Sequence, residues 1–176
     1  MSRIPTHTVE DAPAASRPFL QNLIHSSPTG RFLNAHAQMA HSPAVLAAYA
    51  SLRAVIAEDG TFDPKLGAAL TLATAATVGN GYVIGIASRL AQMNGWAEEQ
   101  IAALRTANPT SDAKIDALTN VVREAAANSG KITDATWKAA QQGGWSDAQL
   151  AEAFAYLGLT VFTGYFLNYA RTDPDV

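Results

Sequence analysis

Between Ser42-Pro43 and Asp59-Gly60, the apolar residues Val45, Leu46, Tyr49, Leu52, Val55 and Ile56 recur at three- and four-residue spacing. That is the stripe of an amphipathic helix, which buries one face and wets the other. Its ends are punctuated to match: Ser42-Pro43 supplies an N-cap and a first helical position, and Asp59-Gly60 a stop. The same grammar runs along the chain. Asp63-Pro64 opens another helix, and helices are expected at 13–24, 31–40, 64–78, 81–94, 97–105, 112–127, 133–142 and 146–169, the last with a break near Gly158. Alanine, the strongest helix former, occurs 36 times in 176 residues, and β-branched runs are scarce, so no strand is expected. The fold class is therefore all-α, a compact helical bundle with short Gly- or Pro-marked loops. Residues 1–12 read as an N-terminal arm and 13–176 as a single domain.

Composition narrows the function classes. Hydrophobic residues make up 48% and charged residues 15%, which excludes a disordered chain and suggests extra surface buried against copies of itself, a homo-oligomer. A net charge of −3 with 12 scattered basic residues argues against nucleic acid as a partner. Cysteine is absent, so disulfides, thiolate metal sites and thiol catalysis are excluded. The stretch Met1 to His7 has neither the apolar core of a signal peptide nor the pattern of a transit peptide, and a cytoplasmic location is expected. Gly67–Ser88 and Ala153–Ala170 carry no charge and are long enough to span a bilayer. Yet neither is flanked by a basic cluster, and mean hydropathy is only +0.02. Buried helices are expected there, not a membrane span.

An internal echo is legible. Asn94-Gly95-Trp96-Ala97-Glu98-Glu99-Gln100-Ile101-Ala102 resembles Gly143-Gly144-Trp145-Ser146-Asp147-Ala148-Gln149-Leu150-Ala151, 49 residues later. Each joins a C-cap glycine, an aromatic anchor and an acidic first turn that suits the helix dipole. Two readings stand side by side: convergence on good capping chemistry, or duplication of a helical unit.

Four stretches resemble the carboxymuconolactone decarboxylase and AhpD-like (alkylhydroperoxidase-like) superfamily. They are Met39-Ala40-His41-Ser42-Pro43-Ala44-Val45-Leu46; Phe62-Asp63-Pro64-Lys65-Leu66; Gly81-Tyr82 with Ala91, Gly95 and the turn from Trp96 to Ile101; and Tyr165-Phe166-Leu167-Asn168-Tyr169 with Asp173. The resemblance implies an all-helical AhpD-like bundle. Peroxidatic members carry a glutamate, a Cys-x-x-Cys and a histidine four residues beyond. On this sequence those positions fall near Ala68, at Asn80 and Val83, and at Ala87. The lactone decarboxylase branch's H-x-x-x-A-x-x-x-G reads Ala87, Ala91, Gly95, so its proton-transfer histidine is replaced as well.

Candidate chemistry is sparse. His36 and His41 lie five apart across a helix junction, not as the i, i+4 pair of a helical metal site, and no metal or cofactor is expected. His36 reads as a hydrogen-bonded structural histidine or a ligand contact, His41 as a capping or packing group. Glu98, Glu99, Asp147 and Glu152 are explained by first-turn positions. Thr71, Thr74 and Thr77 follow one helix to Asn80; either they pack with hydroxyls bonded to carbonyls a turn earlier, or they line a small polar pocket. Tyr82 matches the aromatic between the family's two cysteines. Around residues 71–87, the expected ligand contacts are Asn80, Tyr82, Thr77, Val83 and Ala87, with His36 and Tyr82 as candidate catalytic groups. Three functions remain open: binding or transforming a small, largely apolar metabolite without thiol peroxidase chemistry; a cofactor-free lyase or isomerase acting on a lactone or related carbonyl; and a non-catalytic oligomeric scaffold.

Overall fold

The computed structural model describes residues 2–27 and 30–175; Met1 and Val176, the outer limits of the expected arm and domain, lie outside the described residues. Among the described residues the chain forms nine helices and no strand: α1 (Arg17–Ser26), α2 (Asn34–Met39), α3 (Pro43–Asp59), α4 (Pro64–Val78), α5 (Gly81–Met93), α6 (Glu98–Thr106), α7 (Ala113–Ala127), α8 (Asp134–Gln142) and α9 (Asp147–Ala170). The starts are set by side-chain oxygens that accept otherwise unpaired backbone N–H groups. Asp63 accepts from Leu66 at 2.7 Å, Asn80 from Val83 at 2.9 Å, and Asp112 from Lys114 and Ile115 at 3.1 Å.

α4 is the central helix. Its residues Leu66 to Ala75 are almost all buried, enclosed chiefly by α5, α7 and α9. Small residues allow the close approach to α9. A Cβ on Gly67 would stand 2.7 Å from the Tyr156 ring, and one on Gly164 3.3 Å from Val78. The uncharged stretch Gly67–Ser88 thus finds most of its cover within one chain, and it gives no argument for a partner.

α9 differs. Leu150, Ala153, Leu157, Thr160, Gly164, Leu167 and Ala170 face inward, while Phe154, Tyr165 and Tyr169 are 64%, 60% and 71% exposed along the opposite face. This helix is also long and apolar enough to cross a membrane, with a mean hydropathy of 1.4.

Three boundaries differ from expectation. Residues 14–16 form a turn before α1, with the Ser16 hydroxyl donating to Ala40 O instead of capping the helix. α2 starts only at Asn34 because Leu33 is extended and its N–H donates to His36 Nδ1 at 3.2 Å. α9 runs unbroken through Gly158, which has open space around it and provokes no kink.

The internal echo is structural. Gly95 (φ 83°) and Gly144 (φ 91°) both turn the chain in the left-handed region. Trp96 Nε1 then donates to Lys65 O at 2.8 Å, and Trp145 Nε1 to Lys114 O at 2.7 Å. The two lysines lie over the two indoles, at 5.0 and 4.6 Å from the ring centroids. Gln100 and Gln149 close the following helix starts on the backbone N–H of Ala97 and Ser146. The lysine stands 31 residues upstream of its tryptophan in both places, so the corners of α4–α6 and α7–α9 are built alike down to the side chain that covers the indole.

The chain ends are tied to this body. Arg3 N–H donates to Ala170 O at 2.8 Å and His7 N–H to Ala37 O at 3.0 Å. Buried Gln38 links both ends, donating to Ile4 O at 2.8 Å and accepting from the Thr172 hydroxyl. Asn34 holds the C-terminal segment through Asp173 O and the Asp175 carboxylate.

Candidate functional site

α2, α3, α5 and α9, with Thr71 of α4, enclose a cavity of about 430 Å³. Its walls are apolar: Phe32, Leu33, Met39, Val83, Ile86, Ala87 and Leu159 are among them. That volume lies in the range of small-molecule sites.

The polar feature of its buried part is a histidine–tyrosine pair. His36 and Tyr49 are 8% and 9% exposed, and His36 Nε2 lies 3.1 Å from the Tyr49 hydroxyl. The Leu33 N–H occupies Nδ1, so the neutral ring carries its proton on Nε2 and donates to Tyr49. The Tyr49 hydroxyl proton is then free to donate elsewhere. Burial, helped by the Arg53 charge, pushes His36 down from 6.5 to about 4. At neutral pH the imidazole is uncharged.

Of the residues expected around the ligand, Val83, Ala87 and His36 line the cavity. Asn80, Tyr82 and Thr77 do not, because their polar atoms are engaged in the fold. Asn80 caps α5 and donates to Asn168 Oδ1 at 2.6 Å. Tyr82 donates to the Asp175 carboxylate, and burial followed by that bond raises its pKa. Thr77 bonds Ala73 O, and Thr71, though it lines the cavity, bonds Gly67 O, both at 2.9 Å. Thr74 departs from this pattern: its hydroxyl is fully buried without a partner among the described residues.

His41 stacks on His7, with Nδ1 to Nε2 at 3.0 Å, far in role from any ligand set. Among the described residues no three His, Asp or Glu side chains gather as a metal site. Glu152 is not in the first turn of α9, where Asp147 is the acidic residue; instead it accepts from Thr61 N–H, the Thr61 hydroxyl and Phe62 N–H, at 2.7, 2.6 and 3.1 Å, and fixes the turn into α4.

Sequence reasoning missed Tyr49, Arg31, Arg53 and Arg89, all of which line the cavity. Tyr49 sat in the α3 stripe as a core residue. The arginines are far apart in sequence, and only the fold gathers them.

Residues 43–127 match the Carboxymuconolactone decarboxylase family. No curated protein matches the chain in sequence. Among solved structures, an uncharacterized peroxidase-related protein with an alkylhydroperoxidase AhpD core from Ralstonia eutropha JMP134 superposes with a TM-score of 0.84 at 16% identity, covering 99% of this chain and 92% of that one. The debrominase Bmp8 gives 0.83 at 13% identity, covering 100% and 94%. A cysteine-to-alanine variant of that debrominase is known in complex with 2,3,4-tribromopyrrole. A peroxidase-related protein from Silicibacter sp. TM1040 gives 0.76 at 13%, covering 100% and 96%. The resemblance to the carboxymuconolactone decarboxylase and AhpD-like superfamily holds, by family over the middle of the chain and by fold over its whole length.

Proposed function

We propose that this carboxymuconolactone decarboxylase-like chain, which has no cysteine, binds a small, largely apolar metabolite in the cavity beside α5. The observation that carries this reading is the position of the cavity. Val83 and Ala87, where the family resemblance sets a thiol and a histidine, both open onto it. The room is kept while the redox groups are gone. A debrominase of the same fold holds a halogenated pyrrole, a ligand of comparable size and character.

Binding is favoured over catalysis because His36, the cavity's one histidine, has its basic nitrogen occupied by Leu33 N–H. The lyase or isomerase reading retains one support, the Tyr49 hydroxyl, which can donate a hydrogen bond or a proton toward a carbonyl. Self-association belongs to the same proposal, through the exposed row Phe154, Tyr165 and Tyr169 on α9, as does a cytoplasmic location away from membranes and nucleic acid.

A neutral apolar fluorophore, N-phenyl-1-naphthylamine, tests the pocket. Its emission rises on titration into the protein and is lost in the cavity-filling variants Ala87→Phe or Val83→Phe, with circular dichroism confirming that either remains helical. No rise, or a rise unchanged in folded variants, contradicts the reading.

A further inference from the structure

We propose that the occupant of this cavity is an organic monoanion, an alkyl or aryl body carrying one carboxylate, with the carboxylate at the mouth among Arg31, Arg53 and Arg89. The inference rests on the binding reading above and specifies its ligand class. Three observations carry it.

First, the charged groups lining the cavity are all of one sign. Arg31 precedes α2, Arg53 is on α3 and Arg89 on α5, and among the described residues no Asp or Glu lines the cavity, although the chain has 15 acidic residues against 12 basic ones. In an acidic protein this is a local reversal of charge.

Second, the three guanidinium groups have no hydrogen-bond or ion-pair partner among the described residues, a state shared by Arg105 and Arg171, whereas Arg3, Arg17 and Arg123 are each bonded to a backbone carbonyl. The acidic group nearest in effect, Asp175, acts on His36 from the C-terminal segment, but its carboxylate already accepts from Tyr82 and Asn34. Planar guanidinium groups that the fold leaves unused match a carboxylate in geometry and charge.

Third, the interior is apolar and, among the described residues, holds a spare donor in the Tyr49 hydroxyl. The arginines are exposed, as are Leu90 and Met93 of the lining, whereas Ala35, Met39, Val83 and Ala87 are buried, so a ligand's charge remains at the wet rim while its body reaches the dry end. That order fits an amphiphilic anion better than a compact inorganic one, which would leave most of the 430 Å³ unfilled.

Matched pairs test this: octanoate against 1-octanol, and 4-phenylbutyrate against 4-phenylbutan-1-ol. Each displaces N-phenyl-1-naphthylamine from the wild type, Arg53→Gln, Arg89→Gln and the double variant. The acid-to-alcohol affinity ratio within each protein cancels general damage to the pocket.

The expected result is a ratio of about ten or more in the wild type, equivalent to roughly 1.4 kcal/mol. It shrinks with added salt and falls toward one in the double variant. A ratio near one while the fluorophore binds overturns the anion and leaves the pocket reading standing. A ratio preserved in the double variant overturns the arginine assignment. Failure of the fluorophore and of both pairs to bind overturns the pocket and the anion together.

Discussion

His36 sits where the fold uses both ring nitrogens, one on Leu33 N–H and one on the Tyr49 hydroxyl, and burial holds it neutral with a pKa of about 4. This has a consequence for stability. Above pH 6.5 neither folded nor unfolded His36 is protonated; between 6.5 and about 4 only the unfolded chain takes the proton. Stability therefore falls as pH drops through that window and levels off below it, by about 3 kcal/mol for a shift of this size. In His36→Gln this part of the pH dependence disappears, and urea unfolding at pH 7, 5.5 and 4.5 measures the difference; identical slopes in the two proteins contradict it. Tyr49→Phe leaves the buried Nε2–H unpaired and should cost about 1–2 kcal/mol in the same assay. A change within a few tenths would mean that the pair is not formed. His36 was legible as a hydrogen-bonded histidine, but its partner was not, because a tyrosine in an apolar stripe gives no sign of where its hydroxyl points.

At the scale of helices, Asp63-Pro64 and the two glycine–tryptophan corners marked boundaries in the sequence that the structure keeps within a residue or two. Local capping geometry decides such ends, so local sequence reveals them. α2 was drawn too long because its start is set by a side chain three residues ahead, His36, which reads as an ordinary helical position. The repeated corner was legible, but the lysine that covers each indole was not, because it stands 31 residues upstream. Since both corners use one clamp, Trp96→Phe and Trp145→Phe should each lose one buried N–H···O=C bond, about 1 kcal/mol apiece. Thermal melts of the single and double variants check this. Sharply unequal losses would show that the copies have diverged in what they support.

For the molecule as a whole, the bundle followed from periodicity, whereas the cavity did not. Val83 and Ala87 were placed at it through family resemblance. Asn80 and Tyr82 share that segment, but they face α9 and the C-terminal segment, a distinction that depends on tertiary packing. Arginines 31, 53 and 89 looked scattered because charge gathered by folding has no signature along the chain. Self-association was expected from the low charge content; of the two uncharged stretches one is largely covered by its own chain, leaving the exposed row on α9 to carry the expectation. Tyr165→Glu with Tyr169→Glu should reduce the assembly to a smaller species in size-exclusion chromatography with light scattering, and a monomeric wild type would contradict it. The most direct test of the account is a crystal structure of the protein soaked in 4-phenylbutyrate. The account predicts density for the ligand inside the 430 Å³ cavity, its ring against Val83 and Ala87 and its carboxylate within reach of Arg53 or Arg89. A cavity holding only solvent at saturating ligand, or a ligand bound elsewhere, would contradict it.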